Sequence, residues 1–323
     1  MTSPRDVLTA MGLPGGDLHS LPDSSKRFPD GAQYRIEIPS TEGPDCLRAV
    51  LEEGSRLSVG IHRVSQGTGV FLQTDAELDE MAGIAADAGV EVSLFLRPNA
   101  GWDTSAMARA PAGAALAAAA RGQDQVVACL EDARRASEHG FRSVLVADLG
   151  VLAGFDAMRR SGALPADMQA KVSVMLPVAN PASAQVIERL GANTLNLPTD
   201  LTLPQIAAIR VAVDIPLDIY VESPDNLGGF IRMHEIPEII RVAAPVYLKF
   251  GLRNAPDIYP SGSHLGPTAV ALSRERVRRA RLGLGLLARS ALVVETSELG
   301  AAGLAVPLKP RASFGTYLPA EAT

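Results

Sequence analysis

The sequence is poor in cysteine: it holds two, Cys46 and Cys129, far apart and outside any Cys-x-x-Cys spacing. Thiolates alone therefore cannot assemble a zinc site or an iron–sulfur cluster, and their scarcity fits a reducing, cytoplasmic setting. A run of about 18 apolar residues, the length a membrane-spanning helix needs, is also missing. The alanine-rich stretch 110–120 is too short and too weakly apolar to serve. The opening residues, MTSPRDVLTAMGLPGGDL, lack a basic segment leading into an apolar one, so no signal peptide is expected. Basic charge is not in excess either. A formal net charge of -6 gives no general pull on polyanions, and nucleic acid is not an expected partner. The one basic run, Arg274 to Arg281, is interrupted by Val277 and Ala280 and reads as the solvated face of a helix.

What is present is a globular composition, with 47% hydrophobic and 20% charged residues over 323 positions. That length accommodates one α/β barrel of about 250 residues with extensions at both ends. Residues 1–33, rich in Pro, Gly, Ser and Asp, read as an N-terminal extension; 34–290 carry the repeating pattern; 291–323 form a C-terminal tail. The expected strands are Tyr34 to Ile38, Leu57 to His62, Val90 to Arg97, Phe141 to Asp148, Lys171 to Pro177, Asn193 to Leu197, Leu217 to Glu222 and Val246 to Phe250. Helical patterns fall between them at Ala76 to Ala88, Gln125 to His139, Pro181 to Leu190 and Pro204 to Ala212, and Gly89, Gly140 and Gly191 mark helix ends. Eight strands alternating with helices predict a (β/α)8 TIM barrel of the α/β class. The connection from Pro98 to Gln123, which holds Trp102, is long enough to be a loop over the site.

Side chains alternate across a strand, and in a barrel one set faces the interior. The apolar set of each strand leaves Arg35 and Glu37, then His62, Arg97, Asp148, Ser173 and Met175, Thr194 and Asn196, Asp218, Tyr220 and Glu222, and finally Tyr247 and Lys249 on the inner face. The last inward positions of strands seven, eight, one, two and three are Glu222, Lys249, Glu37, His62 and Arg97, so these five should converge at the C-terminal mouth. Arg35 and Asp218, lower down, read as structural ion-pair partners. A charged group of this kind is costly to bury, which favours a working site over mere filling.

Glu37, Glu222 and His62 are the expected acid–base residues, and Lys249 the electrophile or Schiff-base former. Arg97, whose planar fork binds two oxygens at once, suits a substrate anion. Arg63 and Gln66 in the loop RVSQGTG, Asp148, Asn196, and Arg253 in the loop after strand eight are further substrate-binding candidates. Glu37, Glu222 and His62 also offer oxygen, oxygen and nitrogen to a divalent metal, so metal dependence stays open.

The segments GFRSVLVADLGVL and KVSVMLPVANPASAQVIERLGANTLNLPTDLTLPQIAAIRVAVDIPLDIYVE, most clearly over residues 141–222, resemble the peptidase U32 (collagenase-like) family of barrel proteins. The resemblance implies the barrel fold and a hydrolase alternative. The family's acidic strand seven runs on into a His-Gly and cysteine-containing segment; here Glu222 is followed by SPDNLGG. The iron–sulfur cluster of some relatives is therefore not expected, and no Ser/His/Asp or Cys/His arrangement supports a peptidase nucleophile. Three readings follow: an enzyme of lyase or isomerase type acting on a small carbonyl, carboxylate or phosphate substrate; a U32-like hydrolase using a metal; and a binding protein without turnover. Apolar helix residues between Leu282 and Leu287 leave room for a homo-oligomer.

Overall fold

A computed structural model describes residues 2–99 and 118–310. A short helix α1 (Pro4–Ala10) precedes the barrel. The strands are β1 (Tyr34–Pro39), β2 (Arg63–Ser65), β3 (Glu91–Phe95), β4 (Ser143–Val146), β5 (Gln169–Val172), β6 (Thr194–Asn196), β7 (Leu217–Glu222) and β8 (Val246–Phe250). They close into one parallel barrel in chain order, β8 pairing with β1. The helices around it are α2 (Pro44–Leu57), α3 (Asp75–Ala88), α4 (Gly122–Glu138), α5 (Leu149–Ser161), α6 (Pro181–Arg189), α7 (Leu203–Ala212), α8 (Ile236–Ala243) and α9 (Gly266–Leu287). The (β/α)8 barrel expected from the alternation is thus the fold. Much of the long connection after β3, Trp102 included, lies outside the described residues. Among the described residues, no helix is long and apolar enough to cross a membrane.

Local chemistry sets the element ends. Thr74 and Glu77 form a reciprocal capping box that starts α3, and Gly89 ends it in the left-handed region at φ 66. The outward strand residues, among them Ile36, Ile38, Val64, Val92, Val144, Val172, Leu195 and Leu248, are at most 2% exposed and join the helix faces in one apolar cluster. At 0.8 kcal/mol or so per buried methylene, this sleeve supplies the main driving force for folding.

Several strands differ from the bounds read in the sequence: β5, expected from Lys171 to Pro177, is Gln169–Val172, and β2 and β4 differ for local reasons. Leu57 ends α2, and Ser58 follows it in the left-handed region as a C-cap, so β2 begins at Arg63 and not at Leu57. Asp148 does not end β4; it is the N-cap of α5, accepting from Val151 N at 3.0 Å, and its other oxygen accepts from Ala120 N at 3.0 Å. Cap chemistry wins there because an aspartate satisfies helix N–H groups that would otherwise be orphaned.

Residues after α9 run across the N-terminal end of the barrel. Thr296 bridges Tyr34, Arg35 donates to Ser297 Oγ at 2.8 Å and to the Ala302 carbonyl at 2.7 Å, and Ala305 N donates to Glu91 at 3.3 Å.

Candidate active site

Barrel interiors are commonly filled by branched apolar side chains. This one is filled by charge. Glu37, on β1, accepts from Arg63 Nε at 2.8 Å and Nη2 at 2.6 Å with one carboxylate oxygen. Its other oxygen accepts from Ser65 Oγ at 2.8 Å, contacts Lys171 Nζ, and lies 3.2 Å from Lys249 Nζ. Asp218, on β7, takes the opposite side: Arg63 Nη2 is 2.6 Å from one oxygen and Lys171 Nζ 3.2 Å from the other. Glu91, on β3, stands 3.8 Å from Arg63 and accepts from Ser143 Oγ. The Arg63 guanidinium also stacks on the Tyr247 ring, 3.5 Å from its centroid. Glu37, Arg63 and Asp218 are 0% exposed and Lys171 1%.

Such burial decides the ionisation. Desolvation opposes the charge on Glu37, but Arg63, Lys171 and Lys249 outweigh it and hold the carboxyl well below its ordinary range. Burial and the repulsion of Arg63 push the Lys171 ammonium down to about 7, against the pull of Asp218 and Glu37. Arg63 is driven the other way: desolvation is more than offset by Asp218 and Glu37, and it stays charged.

Lys249 lies toward the C-terminal mouth, one register step beside Glu37 and Tyr220. Its Nζ sits 4.6 Å from the centre of the Tyr220 ring, while burial pushes the Tyr220 phenol up. Arg97 is 9% exposed beyond β3; its Nη1 is 3.5 Å from the Gly67 carbonyl and its guanidinium 5.2 Å from the Phe95 ring. Tyr259 closes against Gly67 so tightly that a Cβ there would meet its hydroxyl at 2.7 Å.

Of the expected convergent set, Glu37 and Lys249 come together, and Arg97 stands beyond β3, against the β2 loop at Gly67. Glu222 does not join them. A register shift between Tyr220 and Glu222 pairs Glu222 with Phe250 and turns it toward α9, where it lies 3.7 Å from Arg279 and accepts from Arg253 N at 3.0 Å. A bulge adds one residue and so reverses the facing that alternation predicts. His62 does not join them either. Preceding β2, it accepts from Ile36 N at 3.0 Å through Nδ1, and its Nε2 lies 2.7 Å from the Ser297 carbonyl beneath the barrel. Arg63, read as a loop residue, is instead the hub of the lumen.

The other candidates serve the frame. Gln66 closes its own loop on Gly69 N and O, both at 3.2 Å, and Asn196 bridges the Asp218 carbonyl at 3.1 Å and Val174 N at 3.2 Å. Arg253 pairs with Asp225 at 3.2 Å on the surface. Lys171 went unnamed in the sequence although it has the parity of Ser173 and Met175; that shared parity was the available signal.

The three groups offered as metal ligands are thus apart. Glu37 has both oxygens engaged by cations and Ser65, Glu222 faces α9, and both ring nitrogens of His62 are in use. Among the described residues, no group of three His, Cys, Asp or Glu side chains is arranged to hold a metal ion.

Comparison of the sequence with curated proteins returns no match. Among solved structures, the chain is similar to the truncated 3-deoxy-D-arabino-heptulosonate 7-phosphate synthase from Thermotoga maritima (15% identity, 83% of this chain and 94% of that one, TM-score 0.42). It is also similar to the U32 peptidase Mk0906 (14%, 72% and 98%, 0.40) and to oxaloacetate acetylhydrolase in complex with oxalate (12%, 82% and 85%, 0.44). At these scores the likenesses carry no argument about the reaction. The model of peptidase family U32 matches residues 114–223, a stretch that ends just past β7 and contains the segment 141–222 singled out in the sequence. The resemblance of this chain to the U32 family of barrel proteins is therefore borne out over residues 114–223.

Proposed function

We propose that the protein is an enzyme of lyase or isomerase type that acts on a small carbonyl substrate bearing a carboxylate or phosphate, with Lys249 as the reacting amine. The observation that carries this reading is the placement of Lys249: at the C-terminal end of β8, it holds one carboxylate partner, Glu37, and rests on the face of Tyr220. Barrel enzymes work at this end of the strands, and an amine released from one carboxylate can attack a carbonyl carbon. Arg97 supplies the cation for the substrate's anionic group, while Arg63 and Asp218 hold Glu37 in place. A small-molecule substrate, and neither nucleic acid nor a membrane, is the partner this chemistry suits. Conversion of small 2-oxo acids and phosphorylated aldehydes by the wild type, lost in Lys249→Met, is the test; unchanged turnover in that variant refutes the assignment.

A second reading, a U32-like hydrolase, is favoured by the family match over residues 114–223. It predicts hydrolysis of short peptides together with stoichiometric metal in elemental analysis, and neither is expected under the first reading.

A further inference from the structure

The two lysines of the lumen meet on one atom. Lys171 Nζ contacts Glu37 Oε1, and Lys249 Nζ lies 3.2 Å from the same oxygen. All eight strands define what surrounds them. β1 brings Glu37, β2 Arg63, β5 Lys171 itself, β7 Asp218 and Tyr220, and β8 Lys249 and Tyr247; β3 brings Glu91, which reaches Arg63 and not the lysines. β4 and β6 bring the uncharged Ser143, Leu145, Thr194 and Asn196. Three cations therefore meet Glu37 and Asp218 directly, with Glu91 a third carboxylate 3.8 Å from Arg63, and none of these side chains is more than 3% exposed. Arg63 and Lys249 both repel the Lys171 ammonium, and that repulsion is relieved most readily by loss of a proton from a lysine, because a guanidinium does not give one up. Lys171 is the more enclosed of the two lysines, and burial with Arg63 beside it sets its ionisation at about 7.

We propose that Lys171 is the internal proton acceptor for Lys249, joined to it through Glu37, in the formation of a Schiff base with the substrate carbonyl. The proposal rests on the reading of Lys249 given above. A proton moves from the Lys249 ammonium to Glu37 Oε1 and on from that oxygen to the neutral Lys171 amine, so the carboxylate ends unchanged and the charge has moved from Lys249 to Lys171. The freed lone pair of Lys249 forms the C–N bond as the carbonyl π bond breaks and its electron pair goes to the oxygen, which takes a proton from the attached nitrogen to give the neutral carbinolamine. The Lys171 ammonium then returns its proton through Glu37 to the carbinolamine hydroxyl, which leaves as water as the nitrogen lone pair forms the C=N bond of the iminium ion. No oxidant or further reactant is needed. Lys171 touches Glu37 and not the substrate, so it acts as a positioning and proton-holding residue.

The test uses the whole protein and formaldehyde, the smallest carbonyl, with cyanoborohydride, reading methylation of each lysine by peptide mass spectrometry from pH 5 to 10. In the wild type, Lys249 methylation should rise with a midpoint near 7, the range in which Lys171 gives up its proton. In Lys171→Met the rate at pH 7 should fall at least about tenfold, and the midpoint near 7 should be lost. Equal rates and midpoints in both proteins overturn the relay and leave the Schiff-base reading standing; no methylation of Lys249 in the wild type at any pH overturns the reading itself. Nitrogen-15 NMR of the lysine side chains gives a readout without any carbonyl. One neutral amine above about pH 7, absent in Lys171→Met, supports the proposal, and no neutral lysine below about pH 9 overturns it.

Discussion

Replacing Glu37 by Gln keeps the shape of the side chain and removes the charge on which the lumen turns. Arg63, Lys171 and Lys249 all rest on this one carboxylate; once it is neutral, Arg63 and Lys171 still share Asp218 and Arg63 keeps Glu91, while Lys249 loses its ion-pair partner. Removing one partner of a buried ion pair costs about 3–5 kcal/mol, because the charge left behind has no solvent to fall back on. Glu37 is 0% exposed, so no screening discounts that figure. The expected result is a loss of about 3–5 kcal/mol in denaturant unfolding at pH 6. The loss should shrink above the Lys171 value of about 7, since a lysine that has shed its proton no longer needs the missing carboxylate. Unfolding curves at pH 6 and pH 9 measure both effects. A variant within about 0.5 kcal/mol of wild type at both pH values would refute the argument that Glu37 anchors the network.

His62 is buried neutral, its value lowered by desolvation from 6.5 to about 4, and it must keep Nδ1 free to accept from Ile36 N. Its contribution is complete above pH 6.5, where both folded and unfolded forms are neutral. It falls by about 3 kcal/mol as pH drops toward 4, and His62→Gln should flatten that part of the stability–pH curve. Arg63→Met leaves Glu37 and Asp218 without their shared guanidinium and should cost about 3–5 kcal/mol in thermal or denaturant unfolding. Glu222→Gln should leave Lys249 methylation by formaldehyde within about twofold of wild type, because Glu222 faces Arg279 and Arg253 N rather than the lumen.

Which parts of this were legible in the sequence follows from the reach of each interaction. Strand and helix alternation is local, and so the barrel could be read from residue pattern, with the four helices given bounds there placed within a few residues. Parity also found Glu37, Lys249, Asp218 and Tyr220, because these sit in strands whose inner and outer faces differ cleanly. It failed where a local device resets the count. The left-handed Ser58 delays β2 and exchanges His62 for Arg63; the bulge after Tyr220 turns Glu222 away; the N-cap role of Asp148 removes it from β4. Asp218, expected as a structural ion-pair partner, pairs with Arg63 and Lys171 and with them completes the charge balance around Glu37. That balance depends on residues from five strands meeting across the lumen, a distance relation that spacing along the chain does not carry.

The central claim is that Lys249 is the reacting amine of a carbonyl-processing site. Reductive trapping with borohydride in the presence of 2-oxo acids and small phosphorylated aldehydes, followed by peptide mass spectrometry, tests it most directly. The account predicts a single adduct on Lys249, gained with at least one of these carbonyls and absent in Lys249→Met. Adducts spread over surface lysines with Lys249 unmodified would contradict it.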